Sequence, residues 1–295
     1  MLKILKPKIF HLHLLVQFFL LFSYIMSNQS NHHFAWNGEN YDKVSSFQYK
    51  AGVEAIESFN LCGDEKILDI GCGNGKTAAL CARKLTSGSL TAIDASSSMI
   101  NFALEHYGNT SNLTFLLQDV VTMSFDQEFD LVYSLFCLHW VKDQEIAMKN
   151  IAKSLKPGGK AVLYISLPNK FNKTFKDEFN KIINSTLWSP YKDLLHYNHF
   201  PIPKKTWFKY AKNNNFEVKF KTIQDSNFYE NYDKFKQRYI AYGLGAEILQ
   251  VMGHEIGNQF VDCYLENVYK TLGLTKEQSI VWKMDILILI LSTQH

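Results

Sequence analysis

A doubly wound α/β fold is expected of this chain, with a mostly parallel seven-stranded sheet and a helical, aromatic-rich cap insertion. Three observations point to it. From residue 66 onward, short apolar runs of strand length alternate with helical patterns. The first of these runs ends in three closely spaced glycines, Gly71, Gly73 and Gly75. After the fifth run, residues 167–216 break the alternation with eleven aromatic side chains, among them Phe171, Phe175, Trp188, Tyr191, Tyr197, Trp207 and Phe208.

Residues 26–60 read as a polar lead-in followed by a substrate-side helix over about Tyr41 to Phe59, with Val53, Ile56 and Phe59 on one stripe. The main domain, 61–295, opens with a strand over Lys66 to Ile70, a helix over Thr77 to Lys84 and a strand over Leu90 to Ile93 closed by Asp94. Ser96 is a natural cap for a helix to about Tyr107. Leu113 to Leu117 and Asp130 to Ser134 are the next strands. A helix over Ile146 to Leu155 stops at Pro157-Gly158-Gly159, before a strand over Ala161 to Ser166. Phe216 to Ile223 reads as a strand, Tyr232 to Leu272 as helices and Met284 to Leu291 as a final strand. Strands alternating with helices at this spacing imply right-handed crossovers. An insertion at 167–216 over the carboxyl ends of the strands would cap the ligand crevice; ordinary core packing is the competing account of its aromatics.

Composition bounds the function. With 46% hydrophobic, 14% aromatic and 20% charged residues, the chain is neither a disordered tail nor a multi-span membrane protein. Its net charge of +3 comes from Lys3, Lys6 and Lys8, since the remainder holds 28 basic and 28 acidic side chains. That balance argues against broad nucleic-acid binding. Cys62, Cys72, Cys81, Cys137 and Cys263 contain no C-x-x-C pair, so they make no zinc site and read as the reduced thiols of a cytoplasmic protein. Residues 9–26 form an apolar stretch behind a basic start, interrupted by His11, His13 and Gln17. Residues 1–25 therefore have three readings: a signal peptide, an anchor giving weak membrane association, or an untranslated extension before a start at Met26.

The strongest local signal is Ile67-Leu68-Asp69-Ile70-Gly71-Cys72-Gly73-Asn74-Gly75, an apolar strand running into glycines that let backbone approach a ligand. It is not a P-loop, because Gly75-Lys76-Thr77 lacks a glycine at position 70. Nor is it G-x-G-x-x-G, the dinucleotide pattern. Asp69 before the glycines suits a cationic ligand better than a pyrophosphate. Asp94, nineteen residues after Gly75, is placed to accept hydrogen bonds from ribose hydroxyls, and Asp119 follows the third strand. Taken singly each Asp is an ordinary turn residue. Together at three strand ends they favour a positively charged nucleoside without phosphate.

With these residues in view, 64–166 resembles the core of a class I S-adenosylmethionine-dependent methyltransferase. Leu68 to Gly75 resembles the family's first motif, Asp94 its acidic second-strand residue, Gln118-Asp119-Val120 the adenine end and Leu155-Lys156-Pro157-Gly158-Gly159 the segment before the fifth strand. The resemblance implies S-adenosyl-L-methionine as cofactor and a binding set of Asp69, Gly71, Cys72, Gly73, Gly75, Asp94, Ala95, Asp119, Val120 and Ser134. Backbone around Gly71 and Gly73 would meet the amino-acid portion, Asp94 the ribose and Asp119 the adenine amine.

The acceptor is read from the end of the fourth strand. An N-P-P-Y tetrad for nitrogen acceptors is absent, and no catechol-type metal site is present in the sequence. Instead Tyr133-Ser134-Leu135-Phe136-Cys137-Leu138-His139-Trp140-Val141 resembles juvenile hormone acid methyltransferases and, more loosely, trans-aconitate methyltransferases. Tyr41, Ser46 and Gln48 resemble their Gln-bearing helix. By that resemblance Gln48 and Trp140 would hold a substrate carboxylate. An ionised carboxylate needs no general base, so His139 is either a base or a structural histidine satisfied by backbone. The expected activity is carboxyl O-methylation of a small, apolar acid. A polyacid, a malonyl group on an acyl carrier protein and a non-catalytic cofactor-binding module are the alternatives. Nine lysines against three acids in 167–216 favour an acidic partner of that kind.

Overall fold

The computed structural model describes residues 36–241 and 243–294. The readings of residues 1–25, and of a start at Met26, lie outside the described residues.

Strands β1 (Lys66–Ile70), β2 (Ser89–Asp94), β3 (Leu113–Leu117), β4 (Phe129–Leu135), β5 (Leu155–Ser166), β6 (Glu217–Tyr229) and β7 (Ile280–Ser292) form one sheet of order β3-β2-β1-β4-β5-β7-β6. The first five run parallel, and β7 runs antiparallel to both β5 and β6. Parallel strands bury both faces, and the apolar β1 and β4 do so almost throughout. The order reverses between β1 and β4, which opens a crevice at their carboxyl ends.

Helices α1 (Gly38–Val44), α2 (Ser46–Ser58), α3 (Lys76–Ala82), α4 (Ser97–Tyr107) and α5 (Gln144–Ser154) precede β5. The single helix expected over 41–59 is two helices broken at Ser45, whose hydroxyl donates to the Asp42 carbonyl. The Ser96 hydroxyl caps α4 by accepting from the Met99 N–H. Strand β5 starts at Leu155 and runs through Pro157-Gly158-Gly159, rather than at Ala161. A register shift between Phe129 and Leu131 lets it pass the proline, which has no N–H to donate to the ladder. Strands β6 and β7 also run longer than their apolar runs. Their polar segment, Gln224 to Asn227 opposite Trp282 to Asp285, leaves one side in solvent and carries no continuous hydrophobic signal.

The cap is larger than the insertion expected at 167–216, and that stretch divides. Helix α6 (Lys170–Ile183) and residues 188–197 join α8 (Tyr232–Ile240), α9 (Gly243–Met252) and α10 (His254–Leu272) around buried Phe175, Phe179, Phe235, Phe260 and Tyr264. Helix α7 (Lys204–Asn213) instead sends fully buried Trp207 into the core beside Leu289 and Leu291 of the sheet. Three of the cap's helices therefore come from between β6 and β7, where the sequence shows the same apolar stripe as any surface helix.

Candidate active site

The turn after β1 is fastened from below. The N–H groups of Gly71 and Cys72 both donate to the Ile93 carbonyl at 2.8 and 3.0 Å, and the buried Ser134 hydroxyl donates to the Ile70 carbonyl at 2.8 Å. Gly71 is left-handed (φ 76°), and a Cβ there would sit 2.3 Å from the Cys137 side chain, so only glycine lets the β1 and β4 turns meet. Gly73 (φ 55°) differs: a Cβ would meet only Tyr41 Cε1, at an ordinary contact distance of 3.5 Å. Its half-buried backbone is a cradle that a side chain would fill.

Asp94 braces this cradle. One carboxylate oxygen accepts from the Gly73 N–H and the other from the Ser96 N–H, both at 2.9 Å. A carboxylate oxygen can accept more than one hydrogen bond. Half-buried Ala95 lies between them in sequence. Asp119 accepts from the Val121 N–H at 2.8 Å, and the carbonyl of buried Val120 accepts from Asn150 at 2.9 Å. Ser134 and Cys72 are buried beneath the turn, and the Ser134 hydroxyl donates to the Ile70 carbonyl of the sheet.

Asp69 lies 3% exposed on the wall of the glycine-loop pocket, which Gly71, Cys72, Gly73 and Gln48 also line. Burial pushes its carboxyl up to about 8; a contact with Tyr133 opposes the rise and the negative Asp94 adds to it. The folded protein thus keeps a proton that the unfolded chain releases near pH 4. Between about pH 4 and 8 this group lowers stability as pH rises, because the unfolded chain releases the proton that the folded protein keeps. Asp69→Asn should flatten that part of the stability profile in thermal melts across this range; an unchanged slope would show that Asp69 ionises normally.

Against this pocket stands a second, of about 940 Å³ including its mouth, and Tyr41 and Gln48 line both. Its walls are ring side chains, including Trp36, Phe136, Trp140, Phe175 and Trp282, with neutral polar groups between them. Among the described residues lining it there is no Asp, Glu, Lys or Arg. Trp140 meets Trp36 edge-on at 5.5 Å and His199 at 4.8 Å. Phe136 at the end of β4 takes a left-handed conformation (φ 58°), a strained geometry for an aromatic residue.

Gln48, Trp140 and His139 come together on this second cavity. Gln48 Oε1 accepts a long hydrogen bond from Arg238 Nη2 at 3.5 Å. A guanidinium only donates, so it holds the amide oxygen and leaves the Gln48 amino group to donate elsewhere. His139 Nδ1 accepts from the Ser166 N–H at 3.3 Å, which places the ring proton on Nε2. Burial, and secondarily His199, holds its pKa well below the usual histidine range. Of the two sequence readings of His139, this geometry is that of a buried neutral ring satisfied by backbone. His199 is likewise pushed down to about 4, by burial and then by Lys176.

Sequence reasoning missed the clasp that closes the first helix on the glycine loop. Asn74 Nδ2 donates to Asp42 at 2.8 Å, and Lys76 pairs with Asp42 at 3.6 Å. Asp42 and Asn74 are 32 residues apart, and although Asn74 lies within the glycine motif, nothing in the sequence pairs it with Asp42. Arg238 was missed for the same reason.

Residues 68–163 match the family described as a methyltransferase domain. The chain is 31% identical over 129 residues to the malonyl-[acyl-carrier protein] O-methyltransferase of Acetivibrio thermocellus, covering 43% of this chain and 45% of that one. It is 29% identical over 137 residues to the juvenile hormone acid O-methyltransferase of Bombyx mori, covering 43% and 49%. It is also 34% identical over 144 residues to phosphoethanolamine N-methyltransferase 1 of Arabidopsis thaliana, covering 48% and 28%. These matches thus span half or less of each relative. The crystal structure of the YcgJ protein from Bacillus subtilis superposes with a TM-score of 0.59 at 15% identity, covering 84% of this chain and 99% of that one, a likeness of fold.

Proposed function

We propose that this chain, whose residues 68–163 are a class I S-adenosylmethionine-dependent methyltransferase domain, esterifies the carboxylate of a small organic acid with an apolar body. One observation carries the choice of acceptor. The ring-lined cavity that adjoins the glycine loop through Tyr41 and Gln48 has no charged side chain on its described walls and offers neutral hydrogen-bond donors.

The site fits the cofactor. Gly73 has no side chain to block a close approach to its backbone, Asp94 stands at the strand end where ribose hydroxyls would bond, and the Asp94 and Asp119 carboxylates set a negative field for a cation beside a protonated Asp69. Gly71 and Cys72 fasten that frame to the Ile93 carbonyl, Gly75 to the Cys72 carbonyl and Ser134 to the Ile70 carbonyl, with Ala95 and Val120 next in sequence to Asp94 and Asp119. When bound, the cofactor supplies an electrophilic methyl group on a sulfonium. Gln48 Nε2 and the Trp140 indole N–H would each donate to one acceptor oxygen without neutralising it, leaving the other lone pairs to attack. Arg238 behind Gln48 favours an anion over an amine. The aromatic walls exclude water and fix the line of approach.

A carboxylate arrives ionised, so no base is required, and the two cavity histidines are held neutral by burial. With cofactor and acid both saturating, turnover is expected to lack an inflection near pH 6.5; a histidine-type rise would return His139 to the role of base. A phosphorylated amine of the kind named by the Arabidopsis relative would find neither a cation for its phosphate nor a carboxylate for its ammonium on these walls. A polyacid is disfavoured on the same ground.

A carrier-bound malonyl group is a second reading, supported by the exposed Lys170, Lys173, Lys176 and Lys181 of α6 and by the Acetivibrio relative. Salt separates the two: methylation of a carrier-bound acid should fall steeply between low and physiological ionic strength, whereas a small monoacid should respond little.

A further inference from the structure

The acceptor cavity has polar groups that nothing above employs. Ser166, at the carboxyl end of β5, is 5% exposed, and Asn172, in the first turn of α6, is 7% exposed; both line the cavity. The backbone N–H of Ser166 is bonded to His139, and that of Asn172 to the cap residue Asn169. Neither side chain makes a hydrogen bond among the described residues. Neither is sealed from solvent as the Tyr133 hydroxyl and the Trp207 indole nitrogen are. Leaving a buried amide or hydroxyl without a partner costs about 1–3 kcal/mol, so such groups in a cavity wall mark where a ligand or water completes them.

Their place in the sheet sets them apart from Gln48. In the strand order β1, β4, β5, β7, the glycine loop follows β1 and Ser166 ends β5, two strand spacings or roughly 10 Å further along the crevice. The cavity continues past them to Trp282 and Met284 on β7. Phe175, one turn after Asn172 on the same face of α6, packs on Trp282 at 5.0 Å, so the surroundings are apolar. A purely hydrocarbon body lying there would leave the hydroxyl and the carboxamide unsatisfied.

We infer that Ser166 and Asn172 form a second recognition point for a neutral oxygen, a hydroxyl or carbonyl, on the body of the acceptor. This rests on the carboxylate reading and narrows it to oxygenated acids. Two donor–acceptor side chains can serve either group, since Ser and Asn each both donate and accept. The described walls hold no carboxylate to pair with an ammonium, and a second carboxylate at this point would lack the cation that Arg238 places behind Gln48.

The test compares dodecanoic acid with its mid-chain and terminal hydroxy analogues on the full chain. Binding is measured by calorimetry with S-adenosylhomocysteine present, and label transfer from S-adenosylmethionine is followed in parallel. The best hydroxy acid should bind about tenfold more tightly than the plain acid, the effect of one to two net hydrogen bonds. Asn172→Leu and Ser166→Ala should each bring that ratio toward one, with S-adenosylhomocysteine binding as the check on folding. A ratio near one in the parent, or a ratio surviving both substitutions, overturns the subsite even if esters form. A ratio that behaves as stated without ester from any acid upholds the subsite and overturns the carboxylate reading instead.

Discussion

Gly71→Ala is expected to abolish cofactor binding and to destabilise the fold by about 2–5 kcal/mol. The added methyl would meet Cys137 Cβ and Sγ at 2.3 Å in a backbone conformation of φ 76° that L-residues rarely adopt. Overpacking costs about 1–3 kcal/mol and the left-handed backbone about 1–2 more. Cys137 cannot yield easily, because it precedes the turn that carries His139 and Trp140. The damage should therefore reach both halves of the site. Denaturant titration and calorimetry with S-adenosylhomocysteine measure the two effects. Gly71→Ala combined with Cys137→Gly should recover part of the stability, because it removes both colliding atoms, Cβ and Sγ. An alanine variant that binds cofactor as the parent does would show that the turn is not the cradle.

Gln48→Ala and Trp140→Phe are expected to lower kcat/KM for the acid by about 10- to 100-fold each, with cofactor affinity retained. A hydrogen bond to a charged oxygen contributes about 1.5–3 kcal/mol, which sets that range. Gln48→Ala should cost more, since it also removes the group that faces Arg238. Arg238→Gln gives a graded control, because it loosens the Gln48 amide and removes the nearby cation while leaving the amino group in place. Its effect should appear mainly in KM for the acid. Full activity in both Gln48 and Trp140 variants would remove the carboxylate clamp.

What the sequence revealed was local. The glycines, Asp94 and the first five strands were legible because turn chemistry and parallel-strand burial act over a few residues: Gly71, Gly73 and Gly75 are all left-handed, and Ser96 caps the helix it was expected to cap. The long-range features were not. Arg238 reaches Gln48 across 190 positions, and the polar clasp of Asp42 with Asn74 and Lys76 has no periodicity to betray it. The aromatic stretch misled because Trp207 and Phe175 look alike in sequence, yet one fills the sheet core and the other the cap. The role of His139 hung on its backbone partner, Ser166, which is legible only after β5 and the turn after β4 are side by side.

The central claim is that the ring-lined cavity presents an acid's carboxylate to the glycine-loop pocket. Incubating the full chain with methyl-labelled S-adenosylmethionine and a panel of apolar, oxygenated, polybasic and carrier-bound acids, beside phosphoethanolamine, tests it most directly. Base-labile label is expected in an apolar or singly oxygenated monocarboxylic acid. Label confined to the amine, or stable to base in every product, would contradict it.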